Sequence, residues 1–232
     1  MTTTIAVINQ KGGCGKTTTV INLAARIAEL GKRVLAFDLD PQGNLSTVLS
    51  GGQYEFNMTV ADLFDKPKRV DIQATIIQGE ANKEPIPNLY LVPADIRLSR
   101  VIEQSLTQIH RERILMRHLD KLDGQFDIIL LDCPPNLSLT STNAMMAADM
   151  FLIPVDGGSF SLNGLADLLD ALEEVPLLLN KYAAFLTPET RFMLFVINAL
   201  LLLSGVVVTI AGIVMAASNS VNWLLAVFGI VL

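Results

Sequence analysis

Apolar residues fall in short blocks through most of the chain and in one long block at its end. Ile5–Asn9 is a short apolar, partly β-branched run and predicts a buried strand. Lys16–Leu30 carries apolar residues at helical spacing and stops at Gly31, which predicts a helix. Arg33–Asp38 predicts a second strand, whose end delivers Asp38 and Asp40 to a loop. Gln42–Leu49 reads as a short helix before the Gly51-Gly52 break, Val60–Phe64 as a helical turn and Lys66–Arg69 as a solvated basic loop. Leu89–Val92 predicts a third strand, followed by amphipathic helices over Arg97–Gln108 and Arg111–Leu122. Asp127–Leu131 and Met150–Val155 read as buried strands with a helix from Leu139 between them, and Ser161–Glu174 as a further helix. Strands alternating with helices predict an α/β fold, a mainly parallel sheet with helices on both faces. Ligands in such folds bind at the carboxyl ends of the strands.

The last block is of another kind. All 17 Lys and Arg and all 23 Asp and Glu lie at or before Arg191, so 192–232 carries no charge. The mean hydropathy of +0.46 therefore averages a soluble domain and an apolar tail. Segment 192–217 has only Asn198, Ser204 and Thr209 as polar interruptions. As a helix at about 1.5 Å per residue it would span ~39 Å, enough for a ~30 Å hydrocarbon core with some tilt. This predicts a transmembrane helix over 192–217, a polar turn at Ser218-Asn219-Ser220 and the start of a second apolar segment over 221–232. The second segment is too short to cross, as in a truncated sequence. Two other readings stay open: Phe192–Asn198 as a core strand with an unusual apolar sequel, or an unrelated membrane sequence fused to the domain. The expected division is 1–187 and 188–232.

Composition narrows the partners. The net charge of −6 and a pI near 4.9 argue against a strongly basic nucleic-acid surface. Cys14 and Cys133 offer no disulfide framework and suit a reducing cytosol. The polar start Met1-Thr2-Thr3-Thr4 does not read as a signal peptide. His110 and His118 are lone histidines on polar helices, expected at the surface.

The chemistry concentrates in Lys11-Gly12-Gly13-Cys14-Gly15-Lys16-Thr17-Thr18, between the first strand and the first helix. Glycines let backbone N–H groups turn toward phosphate oxygens, and the helix presents its positive end to the same anion. Lys16 would reach the β- and γ-phosphates and the Thr17 hydroxyl would bind Mg²⁺. Lys11 is surplus to holding a nucleotide within one subunit; it makes sense if it reaches a phosphate across a dimer interface. Cys14 reads as a small residue that fits the loop.

This loop resembles the deviant Walker A motif, KGGxGKT[ST], of the ParA/MinD superfamily of P-loop ATPases. Asp38-Leu39-Asp40-Pro41-Gln42-Gly43-Asn44 is similar to switch I of its ParA/Soj branch, and Phe126–Pro135 to its Walker B strand and switch II. The resemblance covers about residues 1–175. It implies ATP and Mg²⁺ as ligands, with Asp132 and Asp38 beside Thr17 in the metal shell. It also implies Asp40 as the residue that orients the attacking water, and Lys11 and Lys16 as cations of the transition state. It implies a homodimer in the ATP state, slow hydrolysis as a switch, a stimulating partner protein, and a role in positioning DNA or protein cargo. DNA itself stays an open partner. With the apolar tail, the expected location is the inner face of the cell membrane. The alternative is an ATP-gated, membrane-anchored interaction module with weak or no hydrolysis.

Overall fold

The computed structural model describes residues 2–105 and 110–155, together with the backbone of two short strands further on. The first strand, β1 (Thr3–Val7), leads through the glycine-rich loop into helix α1 (Lys16–Glu29). Val20, Leu23, Ala24, Ile27 and Ala28 are buried on one face of α1, the i, i+3, i+4, i+7 spacing that the sequence showed. The helix stops where Gly31, at φ 80°, donates its N–H to the Ala28 carbonyl at 2.9 Å. Then come β2 (Val34–Asp38), α2 (Asn44–Leu49) and α3 (Val60–Asp65). Thr59 and Asp62 start α3 with a reciprocal capping box.

A hairpin follows that the hydrophobic pattern did not reveal: β3 (Ile77–Ala81) and β4 (Glu84–Val92). Its two-residue turn, Asn82-Lys83, has positive φ at both positions (53° and 66°), as a turn matched to strand twist requires. Only Leu89–Val92 was legible as a strand, because Pro85 and Pro87 argue against one. They are tolerated where exposed β4 pairs only with the edge strand β3, beyond a register shift bridged by Gln78. The Gln78 amide donates to the Ile86 and Leu89 carbonyls at 2.6 and 2.8 Å.

Helix α4 (Arg97–Gln104) follows, and the expected continuation to 108 lies outside the described residues. The expected helix over Arg111–Leu122 is broken into a 3-10 turn at Arg111–Arg113, α5 (Ile114–Leu119) and a second 3-10 turn at Asp120–Leu122. Asn143 caps this run from a distance: its Oδ1 accepts from the Leu115 N–H at 2.9 Å. Then β5 (Ile128–Asp132), α6 (Leu139–Ala147) and β6 (Met150–Val155) complete the alternating pattern.

The sheet runs β3-β4-β2-β5-β1-β6 and continues to β8 (Ile210–Val214) and β7 (Leu194–Phe195). Pairs among β4, β2, β5, β1 and β6 are parallel, and β3, β8 and β7 pair antiparallel. Alternate residues of each central strand face opposite layers. Ile5, Val7, Val34, Ala36, Ile128 and Leu130 pack under α1 and α2. Ala6, Leu35, Phe37, Ile129 and Leu131 pack under α3, α4, α5 and α6. Helices thus cover both faces, as expected.

The tail departs from the expectation of a helix. Within 192–217, the described residues Leu194–Phe195 and Ile210–Val214 are strands, with β8 paired to β6 from Phe151↔Val214 to Val155↔Ile210. A short apolar run carries no periodicity that tells strand from helix, and Ile210, Ile213 and Val214 suit either. Among the described residues no helix is long and apolar enough to cross a membrane. The expected Ser161–Glu174 helix, the 218–220 turn and the 221–232 segment lie outside the described residues.

Candidate phosphate-binding site

Three neighbouring strands end at one place. Val7 of β1 and Asp38 of β2 are both register partners of Asp132 on β5. The sheet therefore sets the glycine-rich loop after β1 beside two aspartates from adjacent strands, at the carboxyl end of the sheet.

The loop is shaped by its glycines. Gly13 and Gly15 stand at φ 73° and 88°, and Gly15 is the residue before the first turn of α1. That turn has no acidic residue and no side-chain cap, so its N–H groups keep their positive end for an anion. Lys16 is buried, 7 % exposed, and its Nζ donates to the Lys11 carbonyl at 2.8 Å, inside the curl of the loop. The buried Cys14 thiol donates to the same carbonyl at 3.2 Å, which agrees with its reading as a small residue that fits. Gly12, Gly13 and Thr18 are exposed, and Thr17 is half-buried.

Asp132 is 1 % exposed and neither carboxylate oxygen meets hydrogen-bond geometry with a partner. Burial first, and then the neighbouring Asp38 charge, push its pKa up to about 8; the nearby Thr17 hydroxyl and Lys16 ammonium act the other way. Asp38 is fully buried and raised to about 6, again first by burial, with the hydrogen bonds of Ser46 and Asp40 pulling it down. Its Oδ2 accepts from the Ser46 N–H and Oγ at 2.8 and 2.7 Å, and its Oδ1 from the Asp40 N–H at 3.1 Å. Asp40 is half-buried, and its Oδ1 accepts from the Gln42 N–H at 2.9 Å, closing an Asx turn.

An unpartnered buried carboxylate beside a second one, with a hydroxyl close by, is a donor set suited to a hard divalent cation. A cation there would favour the charged forms that burial disfavours, and would offset the repulsion of Asp38 on Asp132. Among the described residues no group of three or more His, Cys, Asp or Glu side chains converges. The remaining donors would have to be water and the phosphates of a ligand, as Mg²⁺ commonly requires.

Two further residues shape the site without a sequence signal of their own. Asn9 is buried; its Oδ1 accepts from the Lys11 N–H at 2.9 Å and its Nδ2 donates to the Pro154 carbonyl at 2.6 Å, tying the loop to β6. Ser46 binds Asp38 as described and accepts from the Ala94 N–H at 2.8 Å. The histidines divide. His110 is exposed as expected, whereas His118 is 1 % exposed, with its basicity lowered chiefly by burial. Within α5, His118 is four residues after Ile114 and three after Leu115, so it shares the buried face of Ile114, Leu115 and Leu119. Cys133 is buried too, and burial pushes its thiol well up.

Comparison with known proteins agrees with this geometry. A family model described as an AAA domain matches residues 2–184. An uncharacterized protein of Mycobacterium tuberculosis is 40 % identical over 171 residues, 74 % of this chain and 52 % of its own. The chain thus spans about half the length of that relative. The sporulation initiation inhibitor protein Soj of Bacillus subtilis is 40 % identical over 178 residues, covering 76 % of this chain and 67 % of Soj. The chromosome partitioning protein ParA of Caulobacter vibrioides is 38 % identical over 174 residues, covering 74 % and 62 %. Among solved structures, cobyrinic acid a,c-diamide synthase from Mycobacterium smegmatis, with bound ATP analog and magnesium, superposes with a TM-score of 0.69. It is 34 % identical and the match covers 76 % of this chain and 69 % of that one. The chain belongs to this AAA-domain family, within the family of ParA/MinD-type P-loop ATPases.

Proposed function

We propose that the chain binds ATP with Mg²⁺, dimerises in that state and hydrolyses ATP slowly, as a ParA/Soj-type switch that partitions or positions DNA or protein cargo. The observation that carries this is Asp132, buried without a hydrogen bond of good geometry beside the Thr17 hydroxyl and Asp38, at the mouth of a loop whose helix end is uncapped. Lys16 would leave the Lys11 carbonyl for the β- and γ-phosphates, exchanging a neutral acceptor for a charged one. The loop N–H groups would hold the same phosphates. Thr17, Asp132 and Asp38 would hold Mg²⁺. When bound, the ion supplies charge neutralisation on the phosphate oxygens. Asp40 would orient the attacking water, and Lys11 would reach a phosphate of the opposite subunit. Soj and ParA among the relatives favour partitioning, and a stimulating partner protein fits slow intrinsic turnover.

The rival is an ATP-gated, membrane-anchored module with weak or no hydrolysis, at the inner face of the membrane. It rests on the charge-free composition of 192–217. The strands at Leu194–Phe195 and Ile210–Val214 weigh toward the core reading of that segment. Turnover separates the two. Wild type should release phosphate from ATP, Asp40→Ala should bind ATP without releasing it, and Lys16→Ala should not bind. Equal turnover in Asp40→Ala and wild type would remove Asp40 from the mechanism; no turnover in wild type would leave the interaction module.

A further inference from the structure

We propose that Ser46 is a positioning residue for the hydrolytic step: through Asp38 it fixes the backbone of Asp40, and so sets where the Asp40 carboxylate stands. The inference rests on the ATPase reading and on a chain of four hydrogen bonds within it.

Ser46 lies in the first turn of α2 and is 1 % exposed. Both of its donors, the backbone N–H and the hydroxyl, converge on a single oxygen, Asp38 Oδ2. The other oxygen, Oδ1, accepts from the Asp40 N–H. The serine oxygen in turn accepts from the Ala94 N–H, just past β4. The order is therefore Ala94 N–H to Ser46, Ser46 to Asp38, and Asp38 to the Asp40 N–H. One end is anchored in a helix turn and the end of a strand. The other end is the half-buried loop that carries the proposed water-orienting carboxylate.

A carboxylate has two oxygens and one torsion that turns them together. Two donors on Oδ2 fix that torsion, and so aim Oδ1 at the Asp40 N–H. Packing supports the same aim: a Cβ on Gly43, φ 65°, would come within 3.2 Å of the Ala94 carbonyl, so the loop lies against the residue that binds Ser46. Without the hydroxyl, Oδ2 keeps one donor and the buried Ala94 N–H loses its acceptor, so the torsion is held from one side only. The bond to Asp40 loosens while the phosphate loop, on another strand, keeps its own contacts. The expected signature is thus a loss in turnover much larger than any loss in nucleotide affinity, since Asp38 is only one of the three residues proposed to hold Mg²⁺. A serine needed only for stability would lower the melting temperature and leave the turnover of the folded protein alone.

The test uses the full chain and three proteins: wild type, Ser46→Ala and Ser46→Thr. Ser46→Ala should lower kcat about tenfold or more with KM for ATP changed less than about threefold, the pattern of a lost transition-state interaction. In nucleotide-free protein it should also quicken amide exchange at Asp40. Ser46→Thr, which keeps the hydroxyl, should restore both. A kcat for Ser46→Ala within about twofold of wild type, or an unchanged Asp40 exchange rate, would overturn the proposal. If Ser46→Ala does not fold, Ser46→Cys takes its place with the same readings, since a thiol fills the space with a weaker donor. Absence of ATP turnover in wild type would sink the ATPase reading instead, and the exchange rates would still decide whether Ser46 holds Asp40.

Discussion

Asp132 is the residue on which most of the site's electrostatics turn. Its pKa stands at about 8 and that of Asp38 at about 6, both above the ordinary 3.8, so the folded state holds more protons than the unfolded chain between those values. Their contribution to stability is full below pH 3.8 and is lost as pH rises through 6 and then 8. Melting temperatures of nucleotide-free protein should therefore fall with pH up to about 8, and Asp132→Asn should remove the part between about pH 6 and 8, leaving below 6 the part that Asp38 carries. At pH 8 the variant should melt above wild type. A cation competes with the proton for the same oxygens, so Mg²⁺ with a nucleotide should also flatten the wild-type slope. Equal slopes in wild type and Asp132→Asn, followed by differential scanning fluorimetry, would show that Asp132 is not the strained group.

At the scale of elements, the β3–β4 hairpin makes the sharpest demands on individual side chains. Lys83 holds φ 66° in the turn, a conformation that costs an L-residue about 1 kcal/mol and glycine nothing. Lys83→Gly should raise stability by up to about 1 kcal/mol in urea denaturation. Gly79 is the opposite case: a Cβ there would stand 2.8 Å from Leu89 Cγ, a buried side chain, so Gly79→Ala should lower stability by about 1–3 kcal/mol. A Gly79→Ala protein as stable as wild type would mean that the hairpin register is different. The same hairpin shows where sequence reading stops. β1, β2, β5 and β6 were legible because they are short, largely buried apolar runs, broken only by the threonines that start β1 and the aspartates that end β2 and β5, and α1 because its stripe repeats to Gly31. Glu84–Asn88 lies at an exposed edge, where no core imposes a pattern and the prolines speak against a strand. The phosphate loop was legible because its motif is contiguous, and Asp38, Asp40 and Asp132 because their segments resemble switch I and the Walker B strand. Asn9 and Ser46 were not, because their partners Pro154 and Ala94 are brought to them only by the sheet. His118 was missed because a lone histidine was given to the surface, although it stands four residues after Ile114 and four before Leu122, on the apolar stripe of the segment. The apolar tail was assigned to a helix on its length and lack of charge, and where it is described it is strand.

At the scale of the whole molecule, the glycine-rich loop, Asp38, Asp40 and Asp132 share one end of the sheet, so a second copy facing that end would meet the phosphates directly. Lys11 enters the loop on a backbone N–H held by Asn9, at the rim of that face. In the proposed ATP-gated switch nothing would join the two faces without ATP, and with ATP each Lys11 would have an anion to reach across. Hydrolysis must be stopped for the joined state to accumulate, which Asp40→Ala should do. The most direct measurement is sedimentation velocity of the Asp40→Ala chain with Mg²⁺ and ATP, against the same chain with ADP and against an Asp40→Ala, Lys11→Ala double variant with ATP. The account predicts a dimer in the first case and monomers in the other two, with ATP still bound by the double variant. A dimer that survives Lys11→Ala, or one that forms equally with ADP, would contradict it.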